Sequence, residues 1–159
     1  MPLIQFPDVK MNHDEQIVPL SYIHLQRLKL KEHEQLYANL IPNYLDYVWD
    51  NADPKLSWAA IGKGRVVAVF GLRFVWPGLM EVWMLPSEGI EQHAISFIRG
   101  SKSLIDIAIG DYDVNRLQIC VKKDNTTAFR FAKALGFEVE STMTKFGPEG
   151  ADYYMMVRF

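Results

Sequence analysis

The spacing of hydrophobic residues changes several times along this chain, and the changes mark out its elements. Leu117-Gln118-Ile119-Cys120-Val121 alternates apolar and polar positions with β-branched content, which predicts a half-buried strand. Lys122-Lys123-Asp124 breaks it. Asp124 or Asn125 can then cap a helix, since either side chain accepts from the orphan amides of a first turn. Ala128, Phe131, Ala132 and Leu135 recur three or four apart as one apolar stripe. Gly136 stands where a left-handed residue ends a helix, and Phe137 opens the next strand.

Gln16 to Leu20 reads as a short strand, confined by Pro19 to an edge or a strand end. Ser21 can cap a helix carrying Ile23, Leu25 and Leu28, and Leu36 to Trp49 is a second helical region that Pro42 breaks or kinks. Leu56–Ile61 and Arg65–Phe74 flank Gly62-Lys63-Gly64, a hairpin signal, and Trp76-Pro77-Gly78 turns the chain into a strand over Leu79–Leu85. After a break at Ser87–Gly89 a helix follows, with Ala94, Phe97, Ile98, Ser101, Leu104, Ile105 and Ala108 on one face. Phe137–Met143, a loop at Phe146–Gly150 and a strand over Asp152–Phe159 close the sequence. The predicted order is β-α-α-β-β-β-α-β-α-β-β, and the helix between the fourth and fifth strands makes them parallel neighbours. The sequence has no internal repeat, linker or low-complexity tract.

Composition narrows the class of protein. At 159 residues one domain is the economical reading, here residues 16–159 behind an N-terminal arm at 1–15. A chain of this size buries roughly 70% of its extended surface. Hydrophobic residues make up 49% and aromatics 13%, enough for a core and too many for a disordered chain. The net charge of −2 advertises no nucleic-acid face. The single cysteine, Cys120, excludes an internal disulfide and a cysteine-based metal site, and its strand setting predicts a buried inert thiol. No secretory signal is expected, and no run reaches the ~20 apolar residues of a membrane helix. The expectation is a soluble, cytoplasmic protein with no membrane and no nucleic-acid partner.

The order of elements resembles the GNAT superfamily of N-acetyltransferases. Asn125…Ala128…Leu135-Gly136-Phe137 is similar to that superfamily's C-terminal Asn-x-x-Ala…Leu-Gly-Phe signature. Trp76-Pro77-Gly78, Glu81-Val82-Trp83, Arg116-Leu117-Gln118, the run Phe131 to Glu138 and the run Phe146 to Tyr153 look like small phage- and prophage-encoded GNAT-like proteins, among them relatives of the internal virion protein A of short-tailed phages. The resemblance implies an α/β (α+β) fold with a twisted, mixed but mostly antiparallel sheet of about seven strands and about four helices. It also implies acetyl-CoA as cosubstrate and an amine as acceptor.

Acetyl transfer to an amine needs a pyrophosphate cradle, backbone for the pantetheine arm, a base and support for the oxyanion. The resemblance puts the cradle at the helix start after Leu85, where amides and dipole favour anions. Active relatives carry Arg/Gln-x-x-Gly-x-Gly/Ala there; this chain has Gly89-Ile90-Glu91-Gln92-His93-Ala94. Ala94 keeps the small residue, Gly89 and Gln92 depart from the pattern, and Glu88 and Glu91 put carboxylates beside the site. Those acids stabilise an empty helix by ~0.3–1 kcal/mol each and oppose a pyrophosphate, which a protonated His93 would partly offset. Met84 and Leu85 would pair with the pantetheine arm, and Asn125 is carried over with the cofactor-binding set. No metal is implied.

For the base the resemblance points to Glu81, in the strand from which several GNAT enzymes draw a glutamate; it shares an apolar face with Trp83 and Leu85. A lysine-like amine has a pKa of about 10.4 and must lose a proton before attacking. The tyrosine that protonates the leaving thiolate in many relatives is matched by Ala132, and Tyr153 or Tyr154 is the substitute. A thiolate with a pKa of about 8.5 leaves without help, so slow chemistry is expected. Two readings stand: a slow phage-type N-acetyltransferase, or a GNAT-fold protein without activity that serves in the virion or binds phage or host proteins. A homodimer is left open.

Overall fold

The computed structural model describes residues 11–159. Of the arm expected over residues 1–15, positions 1–10 lie outside the described residues, and Glu15 already begins the first strand. In chain order come β1 (Glu15–Pro19), α1 (Tyr22–Arg27), α2 (Glu32–Leu40), α3 (Tyr44–Asn51), β2 (Ser57–Gly62), β3 (Arg65–Trp76), β4 (Leu79–Pro86), α4 (Ala94–Asp111), β5 (Arg116–Lys122), α5 (Thr126–Ala134), β6 (Glu138–Met143) and β7 (Tyr153–Arg158). The strand order is β1-β2-β3-β4-β5-β7-β6. β4 and β5 run parallel, as the crossover rule requires, and this mixed, mostly antiparallel α/β arrangement agrees with the expected fold.

The helical region expected around Leu36–Trp49 divides at Pro42 into α2 and α3, so the described residues hold five α-helices where about four were expected. The physical cause is local. Ile41, preceding the proline, is extended at φ −105° and ψ 113°, and Asn43 is left-handed at φ 54°.

The described residues fold as two compact units, one of 11–73 together with 83–100, the other of 74–82 with 101–159. In the first, the β2–β3 hairpin is closed by Lys63 and Gly64, both at positive φ (51° and 73°), which suits the two-residue turn its strands need. Both strands are buried along most of their length, because each face of this hairpin is covered. Ala59, Val66 and Val69 join Leu20, Leu25, Leu28, Val48 and Leu85 in one apolar cluster. The alternate positions Trp58 and Phe70 stack at 5.9 Å, and Phe97 of α4 meets Phe70 edge-on at 4.9 Å.

In the second unit β7 lies between β5 and β6 and pairs antiparallel with both. Leu117, Phe137 and Met156 are completely buried there. α5 is punctuated as its sequence predicts. Asn125 Oδ1 accepts from the Ala128 amide at 3.1 Å. At the other end Gly136, with φ 93°, donates to Lys133 O and Phe137 donates to Ala132 O, both at 3.0 Å, which is a Schellman motif. A Cβ at Gly136 would meet Arg158 Nε at 3.2 Å. Gly136→Ala is therefore expected to cost about 1–2 kcal/mol, the left-handed penalty, read as a lowered urea midpoint at unchanged slope. An unchanged midpoint would show that the helix end relaxes freely.

Candidate functional site

The loop after β4 is built by residues from a distant part of the first unit. Ser87 donates its amide to Val67 O at 2.9 Å and is bridged to Leu30. Its hydroxyl accepts from Gly89 N at 3.2 Å, and a single 3₁₀ turn follows over Ile90–His93. The amide of Glu88 goes to Lys29 O, that of Ile90 to Ser87 O, that of Gln92 to Gly89 O and that of Ala94 to Glu91 O. Four amides of the expected anion cradle, those of Gly89, Ile90, Gln92 and Ala94, thus already have acceptors within the unit. Both acids of the loop are exposed and have a lysine beside them: Lys29 lies 3.5 Å from Glu88, and Lys31 pairs with Glu91. Gln92 is exposed, Gly89 and Met84 are partly covered and Leu85 is buried.

His93 turns inward. Its Nδ1 pairs with the Glu15 carboxylate of β1, and both side chains are almost fully covered. Glu15 also accepts from the Asn12 amide at 2.9 Å and from Ser96 Oγ at 2.8 Å. Burial pushes the Glu15 carboxyl up, but the Asn12, His93 and Ser96 hydrogen bonds and the His93 charge outweigh it and leave its pKa below the ordinary value. Gly62 is required beside this pair, because a Cβ there would come within 2.5 Å of His93 Nε2. Trp83 Nε1, also in this unit, is buried with no acceptor among the described residues.

Glu81 is in the second unit. It accepts from Gln118 Nε2 at 3.1 Å, across the last paired position of β4 and β5. Gln118 Oε1 accepts from Arg116 Nε at 3.0 Å, and Arg116 grips Glu140 with two parallel bonds of 2.6 and 2.8 Å. The Arg116 hydrogen bond holds the Glu140 carboxyl below its usual range. Three of these four polar side chains, Glu81, Gln118 and Arg116, line an open cleft of about 440 Å³, walled by the β3–β4 turn with Trp76 and Leu79. Pro77 followed by Gly78 at φ 92° has the order of a type II turn and holds that wall in place. Among the described residues no group of three His, Cys, Asp or Glu is placed to hold a metal.

The chemistry-bearing positions of α5 serve packing. Asn125 is spent as the helix cap, and Ala132 is 2% exposed. Tyr153 is buried against Phe146 at 5.3 Å, while Tyr154 is partly open beside Phe129 and Lys123. Cys120 is half-covered and free of any disulfide, more open than its strand pattern predicts. Gln118 and Glu140 escaped the reading of the sequence. Gln118 was visible as the same-face neighbour of Arg116, two residues on in the strand; nothing local marks Glu140.

No family profile and no curated protein sequence matches this chain. Solved structures do. The acetyltransferase of the GNAT family from Bacillus anthracis superposes with a TM-score of 0.69 at 12% identity, over 92% of this chain and 95% of that one. YncA from Salmonella typhimurium, solved with acetyl-CoA, gives 0.65 at 14% identity over 92% and 94%. RimL, an α-N-protein acetyltransferase acting on a ribosomal protein and solved with coenzyme A, gives 0.64 at 14% identity over 93% and 95%. No helix among the described residues is long and apolar enough to cross a membrane. The chain has the fold of the GNAT acetyltransferases.

Proposed function

We propose that the chain is a slow N-acetyltransferase of phage type, moving an acetyl group from acetyl-CoA to an amine. The observation that carries this reading is Glu81, a carboxylate oriented by Gln118 and opening on a cleft large enough for a small molecule. Its role is to take the proton of the incoming ammonium. Like folds solved with acetyl-CoA and coenzyme A support the donor. Gly89, Gln92, His93 and Ala94 belong to the loop that would meet its pyrophosphate, with Met84 and Leu85 beside its pantetheine arm. His93 serves by fixing that loop through Glu15 rather than by facing an anion. The buried Trp83 indole N–H is a donor suited to a ligand oxygen. Asn125 contributes through the α5 cap.

The loop's internal bonds must be exchanged when a pyrophosphate binds, each worth about 1 kcal/mol, so affinity for the donor is low. Calorimetric titration with acetyl-CoA tests the reading, and no heat and no thermal shift at millimolar ligand would sink it. Glu88→Gln with Glu91→Gln removes two negative charges and frees Lys29 and Lys31 for phosphate. This double variant is expected to bind coenzyme A about tenfold tighter at low salt, with the gain fading at high salt. Equal affinity would show that the acids point away from the ligand.

The same satisfied amides, with Ala132 in place of a donor, favour a second reading: a GNAT-fold protein without the reaction that acts in a phage particle or on a host protein. Failure of acetyl-CoA to bind would select it.

A further inference from the structure

We propose that a second cavity of the second unit, between the β3–β4 turn and the C-terminal end of α4, binds a small, free quaternary ammonium compound. The cavity holds about 570 Å³ and is lined by Phe74, Trp76, Pro77 and Gly78 of the turn and by Tyr112 and Asp113 of the link that follows α4. It shares Trp76, Pro77 and Gly78 with the Glu81 cleft, but Glu81, Gln118 and Arg116 do not line it. Phe74 and Trp76 stand two residues apart at the end of β3, so their rings leave the strand on one face. They are 41% and 63% exposed. Two large rings left this open beside a cavity mark a binding surface.

Charge identifies the ligand. Asp113 is the one carboxylate among the described lining residues, and no lysine or arginine is among them. Asp111 and Asp113 are both exposed, and neither is paired with a cation among the described residues. They stand at the end of an 18-residue helix whose last turn holds no basic residue. A helix dipole puts negative charge at that end, where lysine or arginine would offset it; two acids add to it instead. The field and the ring faces therefore both attract a cation. The chemistry of the lining selects its type. A primary ammonium has three N–H donors to satisfy, and a wall made mostly of ring and proline surface leaves some of them without acceptors. A quaternary ammonium donates nothing and presents its methyl groups to the rings. The volume exceeds that of a trimethylammonium group and admits the rest of a small molecule.

Choline and 3,3-dimethyl-1-butanol separate charge from shape, since the alcohol has carbon in place of the quaternary nitrogen. Calorimetric titration of the full chain is expected to show choline bound about tenfold or more tighter than the alcohol, and about tenfold tighter than ethanolamine, its primary-amine counterpart. Asp113→Asn keeps a residue that tolerates the left-handed backbone there, φ 50°, so the melting temperature should hold. Choline affinity should fall by about threefold to tenfold in that variant, most clearly at low salt. Trp76→Leu should cost about tenfold in choline affinity, with the loss persisting at high salt. The alcohol or ethanolamine bound as tightly as choline, choline affinity unmoved in both variants, or no choline binding at millimolar concentration overturns the proposal. Retention of the chain by phosphatidylcholine vesicles without binding of free choline would overturn it too, because it would place the ammonium on a lipid surface.

Discussion

Glu81→Gln is expected to lower turnover by about 10²–10⁴-fold, the usual contribution of one general base, while affinity for acetyl-CoA stays near wild type. Glutamine keeps the size and can still accept from Gln118 Nε2 through its amide oxygen, so the cleft should hold its shape. What it cannot do is remove a proton from an ammonium whose pKa is near 10. Raising the pH supplies neutral amine from solution, so the defect should shrink as pH climbs toward that value. A rate unchanged at neutral pH would clear Glu81 of the role. A loss of rate accompanied by an equal loss of acetyl-CoA binding would assign it to structure instead. Gln118→Leu separates the two further: it leaves the carboxylate and removes its orienting donor, so a smaller loss of kcat is expected.

Glu15→Ala is expected to lower stability by about 1–3 kcal/mol, the cost of leaving the covered partners of its carboxylate without an acceptor. For a chain of this size that corresponds to a fall in melting temperature of roughly 2–10 °C. The loss should depend on pH with a definite sign. Glu15 titrates below its ordinary value of 4.5 in the folded chain, so the unfolded chain binds its proton first. Its contribution is complete above about pH 4.5, and it disappears as pH falls through the folded-state pKa. Wild type and Glu15→Ala should therefore converge in stability in acid and separate toward neutrality. Parallel curves across that range would show that the His93 contact carries no linked proton. Because His93 ends the 3₁₀ turn of the loop, the variant should also lose amide-exchange protection at Gln92 and Ala94.

What could be read from the sequence, and what could not, divides by distance along the chain. The cap of α5, its glycine end, the turn at Lys63-Gly64 and the break at Pro42 are decided within four or five residues, and each stands where its local chemistry put it. The parallel pair followed from one helix of crossover length. The site was legible only in part. Glu81 and the loop at Gly89–Ala94 could be found, but their partners come from far away: Gln118 lies 37 residues from Glu81, Lys31 is 60 from Glu91, and Glu15 is 78 from His93. Periodicity carries no information at such separations. His93, met beside two acids in a helix start, reads locally as a cation for phosphate, yet it faces the core because β1 brings a carboxylate beneath it. Glu140 reads as one more exposed edge residue, and only the register of β6 against β7 gives it a direction.

The place of β7 has a consequence for biosynthesis. β5 and β6 do not touch each other; each is paired through a strand that the ribosome makes after both. While translation passes from Met143 to Tyr153, the nascent chain carries two open strand edges with no partner, one of them along Leu117–Val121. Such edges recruit other chains, and synthesis at about 5–20 residues per second keeps them open for a sizeable fraction of a second or longer. A chain cut short in that interval would keep both edges open and be aggregation-prone, whereas one that carries β7 would not. β7, made after both, is the strand that joins two sticky edges into one three-strand ladder.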